Sequence, residues 1–301
     1  MLRLAFQKRP PLINRILVNT TRRCCRKRRL SPFLFLLNSI SRGGMGSNSD
    51  DGVRDPNSNP KVTKFRQLMS NHNPTDGWQK SWEEGLTPWD LGQPTPIILH
   101  LLQTGTLPEG RVLIPGCGSG YDVIAIANPV RYVVGLDIST SAINKAKEWS
   151  SSLANAKYFT LLAADFFTWQ PTELFDLVFD YTFFCALDPS MRPSWAKRVS
   201  EILKPDGELI TLIYLMNDQD GGPPYNNSLA DYDEVLRPMG FTALSIVDNE
   251  LAIGPRKEMT TGRTIGNARE SGGLYFFEEG SKSKRPGKEK LGWWKRNCSS
   301  L

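Results

Sequence analysis

A glycine-rich turn after a short apolar run is the first feature of this sequence with the chemistry to bind a ligand. Residues 112–114 are apolar and mostly β-branched, which predicts one buried strand. Gly116, Gly118 and Gly120 follow, and residues 122–127 resume at helical spacing. Glycines after a strand let a ligand approach the backbone, and the next helix points unpaired N–H groups at it. The turn therefore predicts a nucleotide-type ligand; the alternative is a corner in which the glycines serve packing alone.

An acid follows the second apolar run. Residues 131–137 predict a strand that ends at Asp137, seventeen positions after Gly120. A dinucleotide-type fold places a carboxylate about 20 residues after its glycine turn, because two carboxylate oxygens can accept from both ribose hydroxyls. Ser139 then has the residue type of a helix N-cap. The alternative for Asp137 is an acid that only caps the local backbone.

The next two predicted strands also end in acids with aromatic neighbours. The third leads to Asp165 and Phe166, and the fourth leads to Asp180 and Tyr181. An acid such as Asp165 has the chemistry to accept from an adenine amino group while an aromatic ring covers the base. Because the carboxyl ends of parallel strands meet at one edge of a sheet, the glycine turn and the three acids are predicted to lie together there.

Three tryptophans precede the first predicted strand. Trp78 and Trp82 are four residues apart on one helix face, and Trp89 follows eleven residues after Trp78. One interpretation makes them core residues. The other makes them a lid whose π faces meet a cationic ligand.

The frame that must position these residues is an alternation of strands and helices. From residue 61 onward, apolar runs alternate with helical patterns, which predicts a largely parallel sheet with helices on both faces. The predicted strands are 112–114, 131–137, 156–164, 174–181, 208–214 and 241–247, and the predicted helices include 97–102, 139–153, 189–203 and 229–236. Residues 204–207 predict a turn before the fifth strand.

The charge is unevenly distributed, which bears on partners. Eleven of the 37 basic residues lie in residues 1–49, which contain no acid, so the rest of the chain has 26 basic and 31 acidic residues. A mildly acidic body argues against a nucleic-acid surface built from positive charge. Five cysteines without framework or metal spacing favour a reducing compartment, and only two histidines disfavour a histidine-based metal site or triad.

Residues 1–44 form a basic leader without acids. This composition is typical of an organelle transit peptide, which would place the protein in a chloroplast or mitochondrion; without one, the cytoplasm is expected. The alternatives are a disordered basic arm, or upstream translated sequence with Met45 as the working start. Residues 45–60 have the composition of a linker. No apolar run reaches the ~20 residues of a transmembrane helix, so no membrane partner is expected.

Two ligand classes need a glycine turn and a ribose acid, namely nicotinamide dinucleotides and S-adenosylmethionine. The spacing Gly-x-Gly-x-Gly from Gly116 to Gly120 differs from the Gly-x-Gly-x-x-Gly that cradles a pyrophosphate. An aromatic-rich front segment suits a sulfonium cation. Both features favour S-adenosylmethionine, and a nicotinamide-dependent oxidoreductase is the less favoured alternative.

Several segments carry a resemblance to a known family. Residues 203–209 resemble the turn before strand five of S-adenosylmethionine-dependent methyltransferases in general, and the other segments are 78–90, 115–118, 135–139, 165–169, 175–181 and 220–225. Together they resemble the plant thiol, thiocyanate and halide methyltransferases of the thiopurine S-methyltransferase-like group, over residues 61–257 and again at 287–293. The resemblance implies a Rossmann-like class I methyltransferase domain, 61–301. Its sheet would have seven mostly parallel strands, helices on both faces and an antiparallel last strand.

The resemblance also implies a cofactor, its contacts and an activity. The implied contacts to S-adenosylmethionine are Trp78, Trp82, Trp89, Gly116, Asp137, Asp165, Phe166 and Tyr181. Gly116 would lie under the methionine part, Asp137 would take the ribose hydroxyls, Asp165 and Phe166 would hold the adenine, and Tyr181 would line the methyl-donor side. The implied acceptors are thiols, bisulfide, thiocyanate and halide ions. Separately, the protein is expected to be a monomer.

No catalytic base and no metal are assigned. Soft anions need no deprotonation, and a thiol with a pKa near ~8.5 is partly ionised at neutral pH. Tyr181 and Tyr225 are candidates for orienting the acceptor, and ordinary packing is the alternative interpretation of each.

Residues 258–286 depart from the family pattern. They form a polar insert with one apolar patch, 274–277, inside what resembles the family's closing hairpin. A long loop is entropically cheap, at about 0.6 kcal/mol per doubling, so the closing edge strand is able to pair. If it does not pair, strand six becomes an edge. The alternative function is then a splice isoform that is unstable or only binds the cofactor.

Overall fold

A computed structural model describes residues 60–214, 221–252, 268–271, 274–277 and 289–297. The predicted leader, 1–44, and all but the last residue of the predicted linker, 45–60, lie outside them. So does most of the predicted insert. Every helix within the described ranges is too short or too polar to traverse a bilayer.

Seven strands form one sheet in the order β3-β2-β1-β4-β5-β9-β6. They are β1 Gly110–Pro115, β2 Arg131–Asp137, β3 Phe159–Ala163, β4 Phe175–Tyr181, β5 Leu203–Tyr214, β6 Phe241–Asp248 and β9 Glu289–Arg296. β1 to β5 are mutually parallel, and β9 is antiparallel to both of its neighbours. Within the insert, β7 Ala268–Ser271 and β8 Leu274–Phe277 pair as a separate antiparallel hairpin.

Seven α-helices lie in the described part of the chain. They are α1 Pro60–Ser70, α2 Pro74–Glu83, α3 Pro96–Thr104, α4 Tyr121–Ile126, α5 Thr140–Ser150, α6 Arg192–Ile202 and α7 Leu229–Leu236. Their first residues follow local rules. The Asn73 side chain caps α2 by accepting from the Asp76 N–H, and Ser139 caps α5 by accepting from the Ala142 N–H. The Ser139 cap agrees with the sequence expectation.

The sheet is buried on both faces, which explains its continuous apolar strands. In β1, Val112 and Ile114 pack on one side with Ile98 of α3. Leu113 between them packs on the other side with Trp195 of α6. Helices therefore cover both faces, and the predicted α/β class with an antiparallel last strand is confirmed.

Two sequence expectations about the second half of the sheet are wrong. The strand after the insert, β9, is not an edge strand, because it pairs with β5 on one side and β6 on the other. β6 is the edge. Residues 204–207 do not form a turn before the fifth strand. They form a bulge inside β5, because Phe175 of β4 pairs with Leu203 whereas Leu177 pairs with Glu208. Asp206 takes a left-handed backbone conformation, φ 63°, to make this bulge.

The central position of β9 gives a testable expectation for stability. Trp294 in β9 is 1% exposed within the core. We expect Trp294→Ala to lower the free energy of unfolding by about 3–5 kcal/mol, because a large cavity would open between the sheet and its helices. Urea denaturation followed by circular dichroism measures this change.

The matched control is Leu244→Ala on the neighbouring strand β6, where the side chain is 49% exposed. It should change the free energy of unfolding by no more than about 0.5 kcal/mol. Equal, small effects of the two substitutions would mean that β9 is not held in the sheet.

Candidate active site

A cavity of about 800 Å³ opens at the carboxyl ends of β1 to β4. This size is within the range of roughly 300–1,000 Å³ that accommodates cofactors and small ligands. Of the residues singled out by the sequence, eight line it: Trp78, Trp82, Trp89, Gly116, Asp137, Asp165, Phe166 and Tyr225. The structure therefore brings seven of the eight expected cofactor residues to one cavity. The eighth, Tyr181, lines a neighbouring pocket.

Asp137 joins the ends of β1 and β2. Its Oδ2 accepts from the Gly118 N–H at 2.9 Å, and its Oδ1 accepts from the Ser139 N–H at 2.9 Å. Burial raises the pKa of this carboxyl, and the backbone hydrogen bonds oppose that shift. A carboxylate has about four lone-pair positions, so two backbone donors leave room for ligand hydroxyls.

The end of β3 supplies an acid and a covered ring. The Asp165 Oδ1 accepts from the Phe167 N–H at 2.9 Å, which fixes the turn after the strand. The Phe166 ring is 4% exposed and packs edge-on against Phe167 and Phe183, with centroids 5.3 and 5.2 Å away. Acid and ring thus reach the cavity wall from a rigid corner.

The three tryptophans pack on each other and still line the cavity. Trp89 lies 5.2 Å from Trp78 and 6.3 Å from Trp82 between ring centroids, and Phe65 of α1 lies 4.8 Å from Trp89. All three indoles are half-buried. A Cβ placed on Gly118 would lie 2.9 Å from the Trp82 ring. The three indoles therefore pack on one another as core aromatics do and also form one wall of the cavity, with Trp82 next to the glycine turn.

Polar side chains attach this wall to the sheet. The Gln79 amide in α2 donates to the Ser141 hydroxyl at 2.7 Å and accepts from the Ser139 hydroxyl at 3.0 Å, both at the start of α5. After α2, Asp90 accepts from the Ser119 hydroxyl at 2.8 Å, inside the glycine turn. The helix and the loop that carry the tryptophans are thus each hydrogen-bonded to the edge of the sheet where the cavity opens.

The turn after β4 closes the other side of the cavity. Asp180 is 1% exposed and accepts from the N–H groups of Phe183 and Phe184, at 3.2 and 3.3 Å, and from the Trp195 indole at 3.1 Å. Asp180 lies at the predicted edge of the sheet, but these donors turn its carboxylate inward, and it is not among the residues that line the cavity. A Cβ on Gly116 would lie 2.7 Å from the Phe183 ring. Asp180 therefore places an aromatic ring over the glycine.

A second pocket, of about 70 Å³, adjoins the large cavity. The two share Trp82, Trp89, Gly116 and Thr182 as walls. Tyr181 faces this smaller pocket, on the β4 side of the glycine turn.

Sequence reasoning missed several residues of the site. Gln79 gave no signal because its partners lie about sixty residues further along the chain. Thr182 takes a left-handed backbone conformation, φ 61°, which is unusual for a β-branched residue. The residue type therefore does not predict this conformation. Asp122, which lines the small pocket, did have a signal, since it directly follows the glycine turn.

Comparison with known proteins agrees with this geometry. The family model for thiopurine S-methyltransferase matches residues 73–259. "Probable thiol methyltransferase 2" of Arabidopsis thaliana is 60% identical over 195 residues, which are 65% of this chain and 86% of that protein. "Thiocyanate methyltransferase 1" of Brassica oleracea is 51% identical over 220 residues, 73% of this chain and 84% of that protein. A thiopurine S-methyltransferase of Vibrio cholerae is 29% identical over 164 residues, 50% of this chain and 74% of that protein.

The match to a methyltransferase family model, together with the mostly parallel seven-stranded sheet and its antiparallel β9, identifies the chain as a class I methyltransferase, an enzyme that uses S-adenosylmethionine. Within that class, the chain belongs to the thiopurine S-methyltransferase family.

The buried carboxyl of Asp180 gives a pH-dependent expectation. Burial raises its pKa from 3.8 to about 7, against the hydrogen bonds from Phe184, Phe183 and Trp195. The folded state thus keeps a proton that the unfolded state releases above pH ~4. The stability from this group is therefore complete below pH ~4 and is lost as the pH rises to about 7.

The measurement is the free energy of unfolding at pH 5, 6 and 7 for the wild type and for Asp180→Asn. Asn does not titrate, so the wild type should lose about 2 kcal/mol more than the variant over this interval. The exposed Asp233 of α7 provides the control, since Asp233→Asn should keep the wild-type slope. Parallel profiles for the wild type and Asp180→Asn would contradict the expectation.

Proposed function

We propose that this enzyme transfers the methyl group of S-adenosylmethionine to small soft nucleophiles, namely thiols, bisulfide, thiocyanate and halide ions. The observation that carries the proposal is the large cavity, which combines strand-end acids with an aromatic wall in a chain 60% identical to a probable thiol methyltransferase.

The residues of the cavity fit an adenosine. In the proposed arrangement, Asp137 accepts from the ribose hydroxyls with the lone pairs that Gly118 and Ser139 leave. Asp165 and Phe166 hold the adenine at the neighbouring strand end, and Gly116 lies under the methionine part. The indoles of Trp82 and Trp89, which line both pockets, would lie near the cationic sulfur.

When bound, the cofactor supplies a methyl group on a sulfonium, which an anionic acceptor takes in one in-line displacement. The chain provides alignment and removes water from the anion. Leu187, Met191 and Pro224 give the cavity an apolar side. In such surroundings the attraction between the anion and the sulfonium is stronger than in water.

Two titratable side chains in the cavity have suitable protonation states. Burial, followed by the charge of Asp188, raises the pKa of Tyr225, so its neutral hydroxyl is available to donate to an anionic acceptor. Burial, followed by the charge of Asp180, raises the pKa of Cys185 to about 12. Its thiol stays protonated, so it does not compete with the acceptor for the methyl group.

The activity is tested with purified protein, S-adenosylmethionine and one of iodide, thiocyanate or bisulfide, with volatile products measured in the headspace. We expect methyl iodide, methyl thiocyanate or methanethiol to form, and S-adenosylhomocysteine to inhibit. If S-adenosylhomocysteine binds and no acceptor is methylated, the chain is a cofactor-binding isoform without activity and the proposal fails. Stabilisation by NADH but not by S-adenosylhomocysteine would favour an oxidoreductase.

Asp137→Ala tests the proposed ribose contact. We expect S-adenosylhomocysteine to bind about 10- to 150-fold more weakly in calorimetry, since hydrogen bonds to a charged group contribute about 1.5–3 kcal/mol. Asp233→Ala, on the exposed face of α7, should leave the affinity unchanged. Near-ultraviolet circular dichroism checks that the variant is folded. Unchanged affinity in a folded Asp137→Ala protein would reduce this acid to a scaffold residue.

A further inference from the structure

The turn after β4 holds a threonine in a backbone conformation that this residue type rarely adopts. Thr182 has φ 61°. For a β-branched residue this region is a genuine outlier, because the two heavy atoms on Cβ crowd the backbone. Among the described residues, the other non-glycine residue with a positive φ is Asp206, a type that tolerates this region better. Strain of this kind concentrates at functional sites, so the reason for a threonine here needs to be found.

Buried hydrogen bonds on both sides of Thr182 fix this conformation. The Asp180 carboxylate accepts from the N–H groups of Phe183 and Phe184, and the Thr182 carbonyl accepts from the Cys185 thiol at 3.4 Å. Asp180 is 1% exposed and Cys185 is 5% exposed. None of these bonds uses the Thr182 side chain. The turn therefore does not require a threonine, and a glycine would take the same conformation without steric cost.

Thr182 lies at the border of the two pockets. It lines both the large cavity and the small pocket, as Gly116 does. The next residue, Phe183, covers Gly116, and the chain then continues to Leu187 and Met191 on the apolar side of the large cavity. In the proposed arrangement, Gly116 lies under the methionine part and the apolar side surrounds the acceptor. Thr182 therefore borders the region in which the methyl group changes partner.

The side chain of Thr182 carries a hydrogen-bond donor that the protein itself does not use. Within the described part of the chain its hydroxyl has no hydrogen-bond partner, and the residue is half-buried. The Cys185 thiol already donates to the Thr182 carbonyl, so this hydroxyl is the remaining side-chain donor of residues 182–185. An anion that leaves water for an apolar site needs such a donor, because its lost hydration is otherwise not replaced.

We infer that Thr182 is an acceptor-binding residue, whose hydroxyl donates to the anionic acceptor and holds it for in-line attack on the methyl group. This inference rests on the proposed methyl transfer to small anions and adds a residue to it. It also explains the strained backbone: the turn keeps a threonine where glycine fits best, because glycine has no hydroxyl to offer the acceptor.

The test uses three substitutions that separate the hydroxyl from the shape of the side chain. Thr182→Val keeps the β-branched shape and removes the hydroxyl, Thr182→Ser keeps the hydroxyl, and Thr182→Gly removes the side chain and the strain. The matched control is Thr172→Val, in the exposed loop before β4. Initial rates at saturating S-adenosylmethionine give KM for thiocyanate, which is ionised throughout the working pH range. Calorimetry gives the affinity for S-adenosylhomocysteine, and thermal unfolding gives Tm.

We expect Thr182→Val to raise KM for thiocyanate about 10- to 100-fold, because a hydrogen bond to a charged ligand is lost. Thr182→Ser should stay within about threefold of the wild type, and Thr172→Val should not change KM. All variants should bind S-adenosylhomocysteine within about twofold of the wild type, which shows that the cofactor site is intact. Thr182→Gly should match Thr182→Val in KM while its Tm is no lower than about 2 °C below that of the wild type.

The other outcomes contradict the inference in distinct ways. A wild-type KM in Thr182→Val, or equal losses in Thr182→Val and Thr182→Ser, would mean that the side chain serves packing and not the acceptor. A much lower Tm in Thr182→Gly would contradict the argument from backbone strain in the same way. A wild type that binds S-adenosylhomocysteine and methylates no acceptor would instead overturn the proposed function, and the inference with it.

Discussion

The Asp137 carboxylate fixes the geometry of the sheet edge at which the large cavity opens. Asp137 holds the Gly118 N–H with one oxygen and the Ser139 N–H with the other, so it ties the turn after β1 to the helix after β2. The two strands are paired in parallel up to Pro115 and Leu136, which brings those residues within reach. The turn and the acid therefore occupy fixed positions before any ligand binds, and a preorganised site loses less entropy on binding.

Side-chain hydrogen bonds attach the aromatic wall, formed by Trp78, Trp82 and Trp89, to this edge of the sheet. Gln79 reaches the start of α5, and Asp90 reaches Ser119 in the glycine turn. The side chains of Gln79 and Asp90 are only half-buried, unlike the apolar contacts that hold the sheet. Segments held largely by half-buried polar contacts are generally the less stable parts of a fold. Such an attachment is compatible with a cofactor that enters and leaves at every turnover.

Local patterns predicted the parts of the fold that local forces determine. β2, from Arg131 to Asp137, and α7, from Leu229 to Leu236, agree with their predicted bounds because apolar periodicity and capping residues define them. The parallel-strand rule then placed Asp137 and Asp165 at one edge. The position of β9 between β5 and β6 was not predictable in this way, since it depends on pairing across the long insert. The partners of Gln79 are hidden for the same reason.

The acids that end β2, β3 and β4 occupy equivalent positions in the sequence pattern but have different roles in the structure. Asp137 and Asp165 line the large cavity, whereas Asp180 is turned inward by two backbone donors and an indole. An acid at a strand end faces a ligand only if the following turn leaves its lone pairs free. The turn after β4 uses them to fold Phe183 back over the glycine turn. Asp180 therefore positions Phe183 as part of the cavity wall. This wall helps to enclose the site that Asp137 and Asp165 line.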